Sequence, residues 1–251
     1  MKTASTIGEI VVADYRAAGI FETFGIDFCN AGDKTLYEVC EEKHLDRELL
    51  EKSLKELSVS PGHQDPHWNY AEWDTRFLID FIVHAHHNYI RETLPELTRL
   101  AEKVAREHGL GRIAIHEVHR LTRMLADEIT THLDMEEDVI FPYILDLECA
   151  LHENVPFVAP EFGRVESPIK KIVHQHTQAI DILQEIRRLT DQYRLPAKAS
   201  SDQNAWYALL KEFDADMHLH IHLEKNILFP RAMAWEEKLL ERKGYTTIWF
   251  G

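Results

Sequence analysis

The chain has 251 residues, with 28 Lys and Arg against 43 Asp and Glu and a formal charge of −15 when its 16 His are neutral. A surface this acidic repels nucleic acid and anionic membranes, whose binding needs clustered Lys and Arg. Hydrophobic residues at 45% supply a core of ordinary size and exclude a disordered chain.

Gly and Pro are scarce, and apolar residues recur at intervals of three and four, so the expected fold is almost wholly helical. Residues 1–60 carry short helical patterns at Ile7–Phe21, Thr35–Glu42 and, after an Asp46 cap, Arg47–Leu57. Residues 61–73 read as a linker, from the Pro, Gly and polar content of VSPGHQDPHWN (residues 59–69). From residue 74 to 251 four long amphipathic segments follow, at roughly 74–107, 113–147, 166–191 and 202–240. Four such helices joined by short loops predict an up-down-up-down bundle, a fold that holds cofactors on inward side chains. The N-terminus has no signal-peptide core, no long apolar run is present, and Cys29, Cys40 and Cys149 fit a reducing compartment. The expectation is a cytoplasmic protein with no membrane and no nucleic acid among its partners.

A repeat carries the chemistry. HLDMEEDVIFP and HIHLEKNILFP share one frame, His132/Glu136/Phe141/Pro142 and His220/Glu224/Phe229/Pro230. Residues i and i+4 lie on one helix face, so each pair offers an imidazole and a carboxylate to the same point. At about 100° per residue, Trp206, Phe213, Met217 and Leu228 fall close to His220 and Glu224, and Leu125, Ile129 and Ile140 close to His132 and Glu136. Polar groups on an apolar stripe cost several kcal/mol unless paired or metal-bound. The same phase test brings His176 inward among Ile169, Ile172 and Ile180, and one of His86 or His87 inward on the first helix. It places His174, His218 and His222 on the solvated side. An all-nitrogen and oxygen donor set suits iron, manganese or zinc.

These residues resemble the hemerythrin-like di-iron proteins and, within them, the iron–sulfur cluster repair group (YtfE/ScdA, repair of iron centres). The likeness covers nearly the whole chain: the H-x3-E-x4-F-P motif occurs twice, RETLPEL follows the His of the first helix, and QHTQAIDIL stands on the third. The stretch FETFGIDFCNAGDKTLYEVCEEKHLD resembles the small helical domain that marks the group. The resemblance implies a hemerythrin-like bundle preceded by that domain, with two non-haem iron ions joined by an oxo or hydroxo bridge. It implies His87, His132, His176 and His220 as terminal ligands and Glu136 and Glu224 as bridges, His87 being chosen for its spacing to RETLPEL.

The implied role is repair of iron–sulfur clusters damaged by nitric oxide or oxidants, by supplying iron. Damaged iron–sulfur proteins or a cluster scaffold would be partners, and O2 or NO small ligands; a homodimer is compatible with it. The alternatives are an O2/NO binding or sensing protein and a di-iron NO reductase. The group's two adjacent Cys are replaced by Cys29-Asn30-Ala31-Gly32, which leaves Cys29 as the one thiol of that turn, a candidate redox thiol or else a buried structural one.

Overall fold

The computed structural model describes residues 5–59, 69–108, 113–153, 157, 160 and 162–242. Among them every element is helical, apart from an isolated bridge between Thr6 and Thr35. The N-terminal region has four short helices: α1 (Ile7–Ala13), α2 (Ala17–Thr23), α3 (Leu36–Lys43) and α4 (Arg47–Val59). Thr6 with Glu9 and Thr35 with Glu38 form reciprocal capping boxes that start α1 and α3. Asp46 accepts the Leu49 N–H at 3.1 Å and starts α4, as its position in the sequence predicts.

The single helix expected over Ile7–Phe21 is two. Asp14 leaves the helical conformation at φ −156° and its carboxylate takes the Arg16 N–H at 3.1 Å, a local side-chain bond that competes with the helix ladder. The break sets Tyr15 edge-on to Phe28 and Tyr70. Most of the expected linker lies outside the described residues; its end folds as a short 3-10 turn, Tyr70–Glu72, with Tyr70 buried.

Four long helices follow. Helix α5 runs as Thr75–Phe81, Ile82–His87 and Asn88–His108; α6 as Ile113–Met135, Glu136–Ile140 and Phe141–His152; α7 is Glu166–Leu189; α8 runs as Ser201–Leu223, Glu224–Leu228 and Phe229–Arg242. They form an up-down-up-down bundle in which α5 packs on α6 and α8, and α6 on α7. The middle stretches of α5, α6 and α8 are π turns. In α6 and α8 the cause is the Phe-Pro pair: Pro142 and Pro230 have no N–H, and an α-helical ring would meet the carbonyl four residues back. The helix widens instead, with Phe141 N–H bonding Glu136 O and Phe229 N–H bonding Glu224 O.

The described residues form two apolar clusters. One joins Ile7, Phe21, Phe28 and Leu50 of the N-terminal region to Leu94, Leu125, Ile180 and Phe213 of the bundle; the other holds Leu78, Ile82, Ile140, Ile172 and Leu228 toward its opposite end. The candidate ligands lie along each helix where one cluster gives way to the other. The N-terminal region meets α8 closely at Gly8 and Gly32, where an added Cβ would lie 2.9 Å from Gly32 O and 3.2 Å from Asn226 Oδ1 respectively. Two residues without side chains thus admit Asn226.

Candidate metal centre

The structure brings all six predicted ligands to one buried point. His87 and His220 face each other with Nε2 atoms 3.1 Å apart, and His132 and His176 do the same at 3.0 Å. Nitrogens this close share one proton at most, so at least one nitrogen of each pair is an acceptor with a lone pair. The carboxylates span the two pairs. Glu136 lies 3.1 Å from His132 Nε2 through Oε1 and 3.6 Å from His87 Nε2 through Oε2. Glu224 lies 2.9 Å from His220 Nε2 through Oε1 and 3.1 Å from His176 Nε2 through Oε2. Two overlapping groups result, His87/Glu136/His220/Glu224 and His132/Glu136/His176/Glu224, each with donor atoms within 4.8 Å of one another.

These residues fit a cation. Both oxygens of Glu136 and Oε2 of Glu224 are buried without a hydrogen bond, although imidazole nitrogens lie close by. Buried acceptors in that state cost free energy that a cation between them would remove. Without one, the charges satisfy each other partially. Burial works against ionised Glu224, yet His220, His176 and His87 hold it well below the usual carboxylate range. Burial alone would lower His132, but Glu136 outweighs it and pushes His132 up to about 9. Burial keeps His220 below its ordinary value.

The outer nitrogens are held unequally. His87 Nδ1 meets Glu137 Oε1 at 2.7 Å, and Arg91 donates to the same oxygen at 2.6 Å. His132 Nδ1 meets Gln175 Oε1 at 3.1 Å. The π turns aim the carboxylates: Glu136 and Glu224 each open one. In α5 the widened turn buries both His86 and His87, where phase predicted one inward residue. His86 Nδ1 lies 2.8 Å from Asp216 Oδ1, and its ring stacks on His220 at 6.0 Å. His84 and His174 are exposed.

The expectation that His218 and His222 are solvated is incorrect. Both are buried, because the N-terminal region covers the face of α8 turned away from the bundle, through the turns that carry Tyr15 and Phe28. Phe28 packs on His218 at 5.7 Å, and Tyr15 on His222 at 5.5 Å. The apolar neighbours Met217, Leu219, Ile221 and Leu223 surround the helix and carry the signal of burial on every side. Cys29 belongs to this contact: its thiol lies 3.4 Å from His218 O, and burial pushes its pKa well up, unlike a reactive thiolate. Asp27, Cys29 and His218 bring donor atoms together, but Arg187 Nη2 lies 3.4 Å from both ring nitrogens of His218 and opposes a metal cation there.

Burial pushes His222 down to about 4. The unfolded chain takes up this proton near pH 6.5 and the fold does not, so stability falls as pH drops from 6.5 toward 4, by about 3 kcal/mol in all. The metal-free chain should show that loss in its midpoint of unfolding, and His222→Phe should flatten it; equal slopes in the two would remove His222 as the cause.

Comparison with known proteins settles the family. The model described as hemerythrin HHE cation binding domain matches residues 78–232, which includes all six converging side chains. The chain belongs to the hemerythrin family. A second model, ScdA_N, described as a domain of unknown function, matches residues 3–58. Relatives called iron-sulfur cluster repair protein YtfE match both parts. That of Musicola paradisiaca is 34% identical over 232 residues, covering 92% of this chain and 97% of the relative. Those of Dickeya chrysanthemi and Escherichia coli O17:K52:H18 are 33% and 30% identical, each over 92% of this chain and 97% of the relative. Among the described residues no helix is long and apolar enough to cross a membrane.

Proposed function

We propose that this hemerythrin-family chain is an iron–sulfur cluster repair protein that holds two non-haem iron ions and releases iron to clusters damaged by nitric oxide or oxidants. The observation that carries the reading is the pair of overlapping His/Glu groups, in which each carboxylate reaches both His pairs. His87 and His220 would hold one ion, His132 and His176 the other, and Glu136 and Glu224 would serve both. Iron bound there supplies exchangeable Fe2+ and one-electron chemistry. The chain's own part is orientation and exclusion: Glu137 and Gln175 fix two imidazoles, and the apolar clusters on either side keep bulk water out. Recipients would be damaged iron–sulfur proteins or a cluster scaffold in a reducing compartment, in keeping with three free cysteines.

The test is transfer of iron to an iron–sulfur enzyme whose cluster nitric oxide has broken. The iron-loaded chain should restore it, the metal-free chain and Glu136→Ala should not, and Cys29→Ala should perform as the parent. Equal restoration by the metal-free chain would refute iron supply.

A further inference from the structure

The two metal positions have the same inner donors but different supports. Each has one imidazole whose outer nitrogen is unpartnered, His220 in one and His176 in the other. These cancel, and the difference reduces to the second imidazole of each pair. His87 is backed at 2.7 Å by the carboxylate of Glu137, which Arg91 grips at 2.6 Å while also reaching Asp134 at 2.9 Å. His132 is backed at 3.1 Å by the neutral amide of Gln175. A carboxylate on the outer N–H makes the imidazole a stronger donor and fixes its ring; loss of such a support costs about 10–100-fold in metal affinity. The cluster of Glu137, Asp134 and Arg91 also carries a net charge of −1 beside the first position, and Gln175 carries none. Burial runs the same way, with His87 and His220 sealed from solvent and His132 slightly open.

We propose that the two positions are unequal in strength, that Glu137 is the positioning residue that makes the His87/His220 position the retentive one, and that the cation between His132 and His176 leaves first. The inference rests on the two-iron reading above. It gives that reading a direction: one ion is delivered and the other stays, so the chain keeps a half-filled centre ready to be refilled.

The test is release of iron from the reduced, iron-loaded full chain to a ferrous chelator, with 57Fe Mössbauer spectra of loaded and half-released samples. The parent should release iron in two phases of equal amplitude. Glu137→Gln, which keeps the shape and removes the charge, should speed the slow phase about 10–100-fold and alter only the quadrupole doublet of the retained ion. Gln175→Glu should slow the fast phase by a similar factor, and Glu137→Asp should restore part of the slow phase. Release in one phase by the parent, or Glu137→Gln acting on the fast phase, would overturn the proposal.

If the chain loads a single iron, that ion should persist in His132→Ala and vanish in His87→Ala; the reverse would refute the assignment. Two-phase release without restoration of a damaged cluster would leave the inequality standing and reject iron supply.

Discussion

Glu224→Ala is expected to empty both metal positions, and Glu136→Ala likewise. Each carboxylate places one oxygen against each His pair: Glu224 Oε1 lies 2.9 Å from His220 Nε2 and Oε2 3.1 Å from His176 Nε2. Removing either one takes a negative ligand from two cations at once, and the remaining carboxylate is left among four imidazoles. A site filled at 100 times its Kd stabilises the fold by about 2.7 kcal/mol, so the rise in Tm on iron loading should disappear with the ligand. His176→Ala touches one pair and should retain about one iron per chain. Elemental analysis and the visible bands of the loaded protein, read beside a far-ultraviolet spectrum that shows the helices intact, decide the matter. Two irons in folded Glu224→Ala would refute the shared role of the carboxylates.

The same geometry shows why the ligands were legible in the sequence and their surroundings were not. His132/Glu136 and His220/Glu224 announce themselves because each stacks an imidazole on a carboxylate within an apolar stripe, and a single helix contains that whole signal. His176 is found by phase alone. The π turns are harder to read. Pro142 and Pro230 mark two of them, but nothing comparable marks Ile82–His87, whose extra residue buries His86 beside His87. Glu137, one residue past Glu136, looks like a solvated helix Glu until α5 brings His87 and Arg91 to it. Helical phase misplaces His218 and His222 for a different reason. A phase argument assumes one buried face, and α8 has two, since the N-terminal region packs against it opposite the bundle. The break at Asp14 that frees Tyr15 to reach His222 depends on a side chain competing with its own backbone, which apolar periodicity does not record.

That second face of α8 holds the other large expected effect. Asp214 is buried and accepts from both Nε and Nη2 of Arg187, the latter at 2.9 Å, and from the Tyr193 hydroxyl at 2.5 Å. His218 Nδ1 lies 3.2 Å from its carboxylate. Burial opposes the charge on Asp214, but His218 and Arg187 outweigh it and lower its pKa, so the carboxylate is ionised at neutral pH. Tyr193 reaches it at the end of three left-handed residues, Asp191, Gln192 and Tyr193, at φ 49°, 58° and 60°. Such a run costs free energy and persists only where contacts hold it.

Asp214→Ala leaves the half-buried Arg187 guanidinium without its partner, a loss of about 3 kcal/mol, the lower end of what breaking a fully buried pair costs. For a chain of this size that lowers Tm by roughly 10 °C. The double variant Arg187→Met/Asp214→Ala removes the stranded charge and should recover part of the loss, a coupling that simple cavity formation would not produce. Iron content should be unchanged in both, because Asp214 is held by Arg187, Tyr193 and His218, none of which is a candidate ligand. A drop in Tm without recovery in the double variant would assign the effect to packing; a loss of iron would mean that this buried ion pair sets the orientation of the metal ligands along α8.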